Sequence, residues 1–339
     1  MKRFLGLIIL FTITFAQASD FVKVGTTAGQ FLKVEPGARA IALGASFGAL
    51  ANDASALYWN PAGIVQLDKV QVTFTHTRWI ADISNGFVGI VLPVGIENAF
   101  GVSLQYQMMD DIEQTTIDMP KGTGIYFGAQ DLAVGVSYSR AVTNYLRFGI
   151  TGKLIYQSIW NESAQGFAID VGLLLDTGVL GIRFAMVMTN YGTDMKLDGR
   201  DLIRGYDQAP ESIMNPDTEA RLSTEAWPLP TNLRVSMATD VIGMNDAYIQ
   251  SANSRLTVVA DLAHPNDSYE QYNIGFEYGF KELFFGRVGY RGNTFEEGLT
   301  LGAGVRIPMA SHFSMMIDYA YADFGIFSYV QHFTLGFQF

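Results

Sequence analysis

The chain contains no cysteine in its 339 residues, so neither disulfides nor thiolate chemistry holds it together. Charge is also scarce: Asp, Glu, Lys and Arg make up 16% of the residues, against about 25% in ordinary soluble domains. The charge that remains is acidic, net −11, and would repel phosphates, which argues against a nucleic-acid partner. Beyond the N-terminus no stretch reaches about 18 consecutive apolar residues, which excludes membrane-spanning helices. The four histidines, His76, His264, His312 and His332, share no helix or hairpin spacing that would hold a metal. Gly122-Thr123-Gly124 and Gly302-Ala303-Gly304 are too short for nucleotide loops, and no G-x-S-x-G elbow is present. The expectation is therefore a protein with no cofactor, no metal and no catalytic centre.

What is present is apolar and aromatic. Hydrophobic residues reach 49%, aromatic residues 13%, and glycine numbers 35. In the last eight residues Phe333, Leu335, Phe337 and Phe339 alternate with Thr334, Gly336 and Gln338. Strand side chains repeat with a period of two, so one face of this segment is apolar and the other small or polar. The same scheme recurs upstream in Phe100-Val102-Leu104-Tyr106, Leu132-Val134-Val136-Tyr138, Phe167-Ile169-Val171-Leu173-Leu175 and Leu180-Ile182-Phe184-Met186. It continues in Tyr272-Ile274-Phe276-Tyr278, Leu299-Leu301-Ala303-Val305-Ile307 and Phe313-Met315-Ile317-Tyr319. About fourteen such runs predict an all-β transmembrane antiparallel barrel of about 14 strands over residues 69–339, its apolar face meeting lipid.

The N-terminus predicts export. Met1-Lys2-Arg3 is a positive n-region, Phe4 to Phe15 an apolar h-region, and Ala16-Gln17-Ala18 a small-residue cleavage site, so residues 1–18 read as a signal peptide. A retained anchor helix is the alternative, and the apolar run is short for one. The expected location is the bacterial outer membrane. Phe339, at the end of the chain, resembles the terminal aromatic read by the barrel insertion machinery, which makes that machinery and outer-membrane lipid expected partners.

Connections are expected to alternate in length. Short ones fall near 96–98, 142–144, 176–178, 281–282 and 310–311, longer ones near 110–130, 158–164, 191–229, 264–269 and 291–297. Short periplasmic turns and long outer loops are the barrel's habit, with 242–253 as an exception on the short side. Residues 19–68 do not alternate. They are rich in Ala and Gly, with helical stretches plausible at 26–33 and 53–59, and they form a candidate partly helical plug in the lumen. A solvated periplasmic tail is the alternative, but such a tail should be polar.

If apolar positions face out, their neighbours face in: Arg147, Lys153, Asp170, Arg183, Arg234, Arg255, Asp261, Glu277, Arg306 and Asp318. Facing lipid, such groups would cost roughly 2–4 kcal/mol each near the midplane. Lys153, Asp170 and Arg183 fall on three successive strands, so a ladder of alternating sign is one arrangement. A lumen charge network of Lys153, Asp170, Arg183, Glu277, Arg306 and Asp318 could either hold plug to wall or line an ion path.

The segment Gly37-Ala38-Arg39-Ala40-Ile41-Ala42-Leu43-Gly44-Ala45, followed by Ala51 through Asn60-Pro61-Ala62-Gly63, resembles the N-terminal signature of the PorV/PorQ family. These are outer-membrane barrels related to the FadL-like long-chain fatty acid transporters. The resemblance is dense from Gly25 to Ile64 and only of kind over the barrel. It implies a 14-stranded barrel with the N-terminal segment folded inside. Gly37 and Arg39 lean towards PorV/PorQ, whereas Asn60, Pro61, Ala62 and Gly63 are shared with the wider FadL-like group and read as plug-turn residues.

Three functions stay open. PorV-like members imply a component of type IX secretion that binds secreted proteins or secretion-system subunits, with 191–229 as the binding loop. FadL-like members imply a channel for a hydrophobic small molecule, which would need an apolar pocket between plug and wall near Phe47, Leu50, Leu57 and Trp59. A purely structural membrane protein would need neither.

Overall fold

The computed structural model describes residues 23–208, 211, 218–244, 246–309 and 313–339, so the expected signal peptide and the expected turn at 310–311 lie outside the described residues. Fourteen antiparallel strands form the closed barrel. The first seven are β1 (Gln71–Arg78), β2 (Ser84–Val94), β3 (Asn98–Met108), β4 (Ala129–Ala141), β5 (Leu146–Ile159), β6 (Glu162–Asp176) and β7 (Arg183–Gly192). The second seven are β8 (Asn232–Gly243), β9 (Ser254–Pro265), β10 (Gln271–Phe280), β11 (Phe284–Gly292), β12 (Leu299–Pro308), β13 (Ser314–Asp323) and β14 (Tyr329–Gln338). Each pairs with the next, and β14 returns to β1 in a ladder from Gln71↔Gln338 to Arg78↔Gln331. Closure leaves no unpaired edge.

Side-chain alternation sorts the two faces as expected. On β10, Tyr272, Ile274, Phe276 and Tyr278 are exposed while Asn273 and Glu277 are buried. Phe333, Leu301, Val136 and Phe100 likewise sit on the outer face. Aromatic contacts knit neighbouring strands from outside, as between Tyr319 and Phe333 at 4.9 Å and between Phe100 and Tyr138 at 5.1 Å. The terminal Phe339 packs its ring 5.2 Å from Phe313 and donates its N–H to the Val70 carbonyl.

One barrel end carries the short turns and the other most of the loops, with departures from expectation. The connection near 158–164 is a two-residue turn, because β5 and β6 pair all the way from Ile159↔Glu162. The strand expected from Leu180 begins only at Arg183, since Val179 to Ile182 belong to the turn. The long segment 244–253 at the turn end bends back, and Ile249–Gln250 runs parallel to Ile242–Gly243 of β8, beside a bulge at Asp240/Ile242. At the loop end, the described parts of 193–231 pair locally: Ile203–Tyr206 with Thr218–Arg221, Met195–Lys196 with Ala226–Trp227, and Asp198–Gly199 with the start of β6.

Inside the barrel runs the described segment before β1, from about Gly29 to Leu67. It holds a 3-10 turn Gln30–Lys33, helix α1 (Ala38–Ala42), helix α2 (Ala56–Trp59) and a 3-10 turn Pro61–Gln66. The helical stretches expected at 26–33 and 53–59 are thus shorter, and α1 falls within the Gly-Ala-Arg-Ala stretch. Asn60 both ends α2 and starts the next turn: its backbone is extended and its side chain accepts from the Ala62 N–H. The core lies between this plug and the wall, built from Ile41, Leu43, Phe47, Leu50, Leu57 and Trp59 against small wall residues such as Ala99, Ala185, Ala238 and Ala320.

Candidate functional site

Plug and wall meet in two different ways. On the side of β9 to β13 the contact is ionic. Arg39, on α1, places Nε 2.8 Å and Nη2 2.9 Å from the two carboxylate oxygens of Glu277, a bidentate pair. Glu277 also receives Arg255 at 2.8 Å and Arg287 at 2.7 Å, and Arg287 reaches Asp318 at 2.5 Å. The Arg39 Nη1 binds Asn52 at 2.7 Å and Asp53 at 3.0 Å within the plug. One fully buried carboxylate thus gathers three guanidinium groups, one of them from the plug. Such a cluster contributes little over an apolar packing, yet losing one partner strands buried charge.

On the side of β4 to β6 the plug turn lies close on the wall, with polar side chains donating to backbone carbonyls. Asn60 donates to the carbonyls of Gly48 and Leu173, while Ser139 donates to the Ala62 carbonyl. A Cβ on Gly149 would collide with the backbone of Pro61 and Ala62, and one on Gly172 with the Asn60 side chain. Glycine at these two wall positions lets the Asn-Pro-Ala-Gly turn lie directly on the sheet. The four motif residues 60–63 are accordingly buried structural anchors.

Further anchors lie towards the loops. The Phe47 and Gly48 N–H groups donate to Asp261, and Gln105 donates to the carbonyls of Phe31 and Val34. Asp267, in the β9–β10 loop, accepts from Thr27, Gln30 and Lys33. Burial works to raise its pKa, but those hydrogen bonds and the Lys33 charge outweigh it and hold the carboxyl below its usual range.

The charged residues expected in the lumen are there, paired differently from a simple ladder. Lys153 meets Asp170 at 2.6 Å and donates to Asn190. Arg183 does not continue the series. The β6–β7 register sets it opposite Asp176 at the turn end, and it pairs with Asp240 at 3.1 Å. Arg306 forms no ion pair with the described residues and lies 5.7 Å from the Phe285 ring. Glu35, Arg234, Arg291 and Glu297 form a second chain of pairs, of which only Arg234 is among the residues expected to face in. The signal for Arg291 was the period-two spacing of Arg287, Gly289 and Arg291 on β11.

Phe47, Leu57 and Trp59 do not surround an apolar pocket. They are buried and fill the plug's own core, with Phe47 and Trp59 edge to face at 6.1 Å. Two lumen cavities remain on either side of the plug. The turn-end one, about 320 Å³, meets Leu50 but is walled by Arg39, Asp53, Arg183, Asp240, Arg255 and Arg306 among others. The loop-end one, about 390 Å³, meets Trp59 but also Lys33, Glu35, Arg234, Asp267 and Arg291. Both are polar.

An apolar hollow lies elsewhere, at the loop-end rim. Phe127, Ile159, Trp160 and Leu197, with Gln114 and Glu162, line a space of about 390 Å³. Phe127 and Trp160 meet edge to face at 5.7 Å. Leu197 packs in turn on a buried cluster of Phe31, Leu32, Ile155, Met195 and Leu229, which reaches the first turn of the plug. The hollow draws on residues far apart in sequence, and no motif marks it.

Comparison with solved structures decides the fold. The CymD monoaromatic hydrocarbon channel superposes with a TM-score of 0.57 at 12% identity, covering 90% of this chain and 97% of that one. The fold is that of the FadL-like barrels. The Ralstonia pickettii toluene transporter TbuX gives 0.55 at 11% identity, covering 90% and 98%, and a Pseudomonas aeruginosa FadL homologue gives 0.51 at 13%, covering 88% and 96%. Residues 13–165 match the model of an uncharacterised protein family, UPF0164. No curated protein matches the chain.

Proposed function

We propose that this FadL-like barrel is a non-enzymatic channel of the bacterial outer membrane that takes up hydrophobic small molecules from the loop side. The carrying observation is the continuity of the rim hollow at Phe127, Ile159 and Trp160 with the buried cluster at Met195, Leu229, Phe31 and Leu32, through Leu197. An apolar molecule placed there gains about 25 cal/mol for each Å² it removes from water. Among the neighbours in fold are a hydrocarbon channel and toluene transporters, which supports the same class of ligand. The charged turn-end half of the lumen is a poor path for such a molecule, because it would strip water from arginines and carboxylates. The β6–β7 ladder shifts register between Ile169 and Val171, beside Ala168 of the apolar cluster. A sideways exit there avoids the charged half.

A second reading has its own support. The described parts of 193–231 hold short paired strands with exposed Tyr206 and Trp227, which suit protein binding, and the Gly37–Gly63 stretch resembles PorV/PorQ. On that reading the plugged barrel is a secretion component that docks exported protein. A deletion strain separates the two. Slower accumulation of radiolabelled toluene or oleate, with an unchanged surface proteome, is the expected result. Normal uptake together with selective loss of surface proteins would overturn the channel reading in favour of secretion.

A further inference from the structure

The turn-end cavity carries a surplus of hydrogen-bond donors that the charge network does not use. Five arginines line it, Arg39, Arg183, Arg255, Arg287 and Arg306, around the ring of Phe285. Three of them sit close to that ring: Arg255 at 5.9 Å, Arg287 at 5.2 Å and Arg306 at 5.7 Å. The nearby carboxylates are already engaged. Both oxygens of Glu277 are taken by Arg39, Arg255 and Arg287; Glu282 holds Arg255, Asp240 holds Arg183 and Thr257, and Asp53 holds Arg39 and Ser55.

Donors are left over. Arg287 is 4% exposed, and its Nη2 has no partner; the Arg183 Nε is also buried and unpartnered. The Arg306 side chain has no hydrogen bond or ion pair with any described residue, and only its backbone N–H is engaged, by the Leu283 carbonyl. A buried donor without an acceptor is costly, so the unpartnered N–H groups of Arg287 and Arg183, two residues that line one cavity, are ones that an acceptor-only group would satisfy. The rest of the lining is mixed, with Leu50 of the plug and Met316, the cross-strand neighbour of Arg306, among polar residues such as Thr73, Ser314 and Thr334. A volume of about 320 Å³ is at the small end of ligand pockets.

We propose that this cavity binds a small oxyanion, a carboxylate or phosphate group held by Arg306 with the free N–H groups of Arg287 and Arg183. The site lies on the far side of the plug from the rim hollow and does not depend on the hydrophobic-uptake reading.

Isothermal titration of the purified full chain in neutral detergent tests it, with sodium benzoate and inorganic phosphate as separate probes. One-site binding of either is expected, weakened at least about tenfold in Arg306→Gln and partly restored in Arg306→Lys, because charge-assisted contacts are the strong ones. Binding of both probes, or of one alone, would support the site and say which oxyanion it accepts. Arg140→Gln, at the exposed turn end, should bind as the native chain does. If Arg306→Gln fails to fold, Met316→Glu places a negative charge directly across from Arg306 on the neighbouring strand and should abolish binding. No one-site binding of either probe, or unchanged affinity in the Arg306→Gln and Met316→Glu variants, overturns the proposal.

Discussion

The two flanks of the plug differ in what holds them. Towards β9–β13 a single carboxylate, Glu277, gathers Arg39, Arg255 and Arg287; towards β4–β6 the turn 60–63 lies on the glycines of the wall. The ionic flank is set by long side chains whose energy depends on every partner being present. The glycine flank is set by the absence of side chains and depends on shape.

Breaking the ionic flank should have the largest effect. Glu277→Gln leaves three guanidinium groups without their shared anion, and a loss of about 3–5 kcal/mol is expected in denaturant unfolding of the detergent-solubilised barrel. A variant as stable as the native chain would show that water or rearranged carboxylates replace Glu277. The glycine flank should give the next largest effect. Gly149→Val drives a side chain into Pro61 and Ala62, with an expected loss of about 1–3 kcal/mol. The two changes lie on opposite flanks, so their losses should add; clear non-additivity would mean that the plug responds as one rigid piece.

The smallest effect sharpens the comparison at the loop end. The Asp267 carboxyl is held below its usual range, so its contribution is full above the unfolded value of about 4 and is lost as pH falls through the lower folded value. Limited proteolysis should find residues 23–35 protected at pH 6 and cut faster near pH 3. In Asp267→Asn the cutting at pH 6 should already be faster, with less pH dependence. Identical profiles for both chains would remove Asp267 from the set of anchors.

The barrel was legible because a lipid-facing wall imposes a period of two on every strand, and that period survives in runs such as Tyr272-Ile274-Phe276-Tyr278. The plug was legible for the opposite reason, as Ala- and Gly-rich sequence that does not alternate. Pairing inside the lumen was not, because it depends on register. A turn ending at Arg183 rather than Leu180, and a bulge beside Asp170, decide which carboxylate each cation meets. Phe47, Leu57 and Trp59 were read as a pocket because composition cannot tell a side chain that lines a space from one that fills it. The rim hollow was invisible for a further reason: Phe127, Trp160 and Leu197 come together only through loops that carry no periodic signal.

The central claim is that apolar ligands are captured at that hollow. Equilibrium binding of radiolabelled toluene to the purified barrel tests it most directly, with native chain and Leu197→Asp measured side by side. Saturable binding that falls at least about tenfold in the variant is the predicted result, since a charge now faces Phe127 and Trp160. Saturable binding of equal strength in both, or only non-saturable partitioning into detergent, would contradict it.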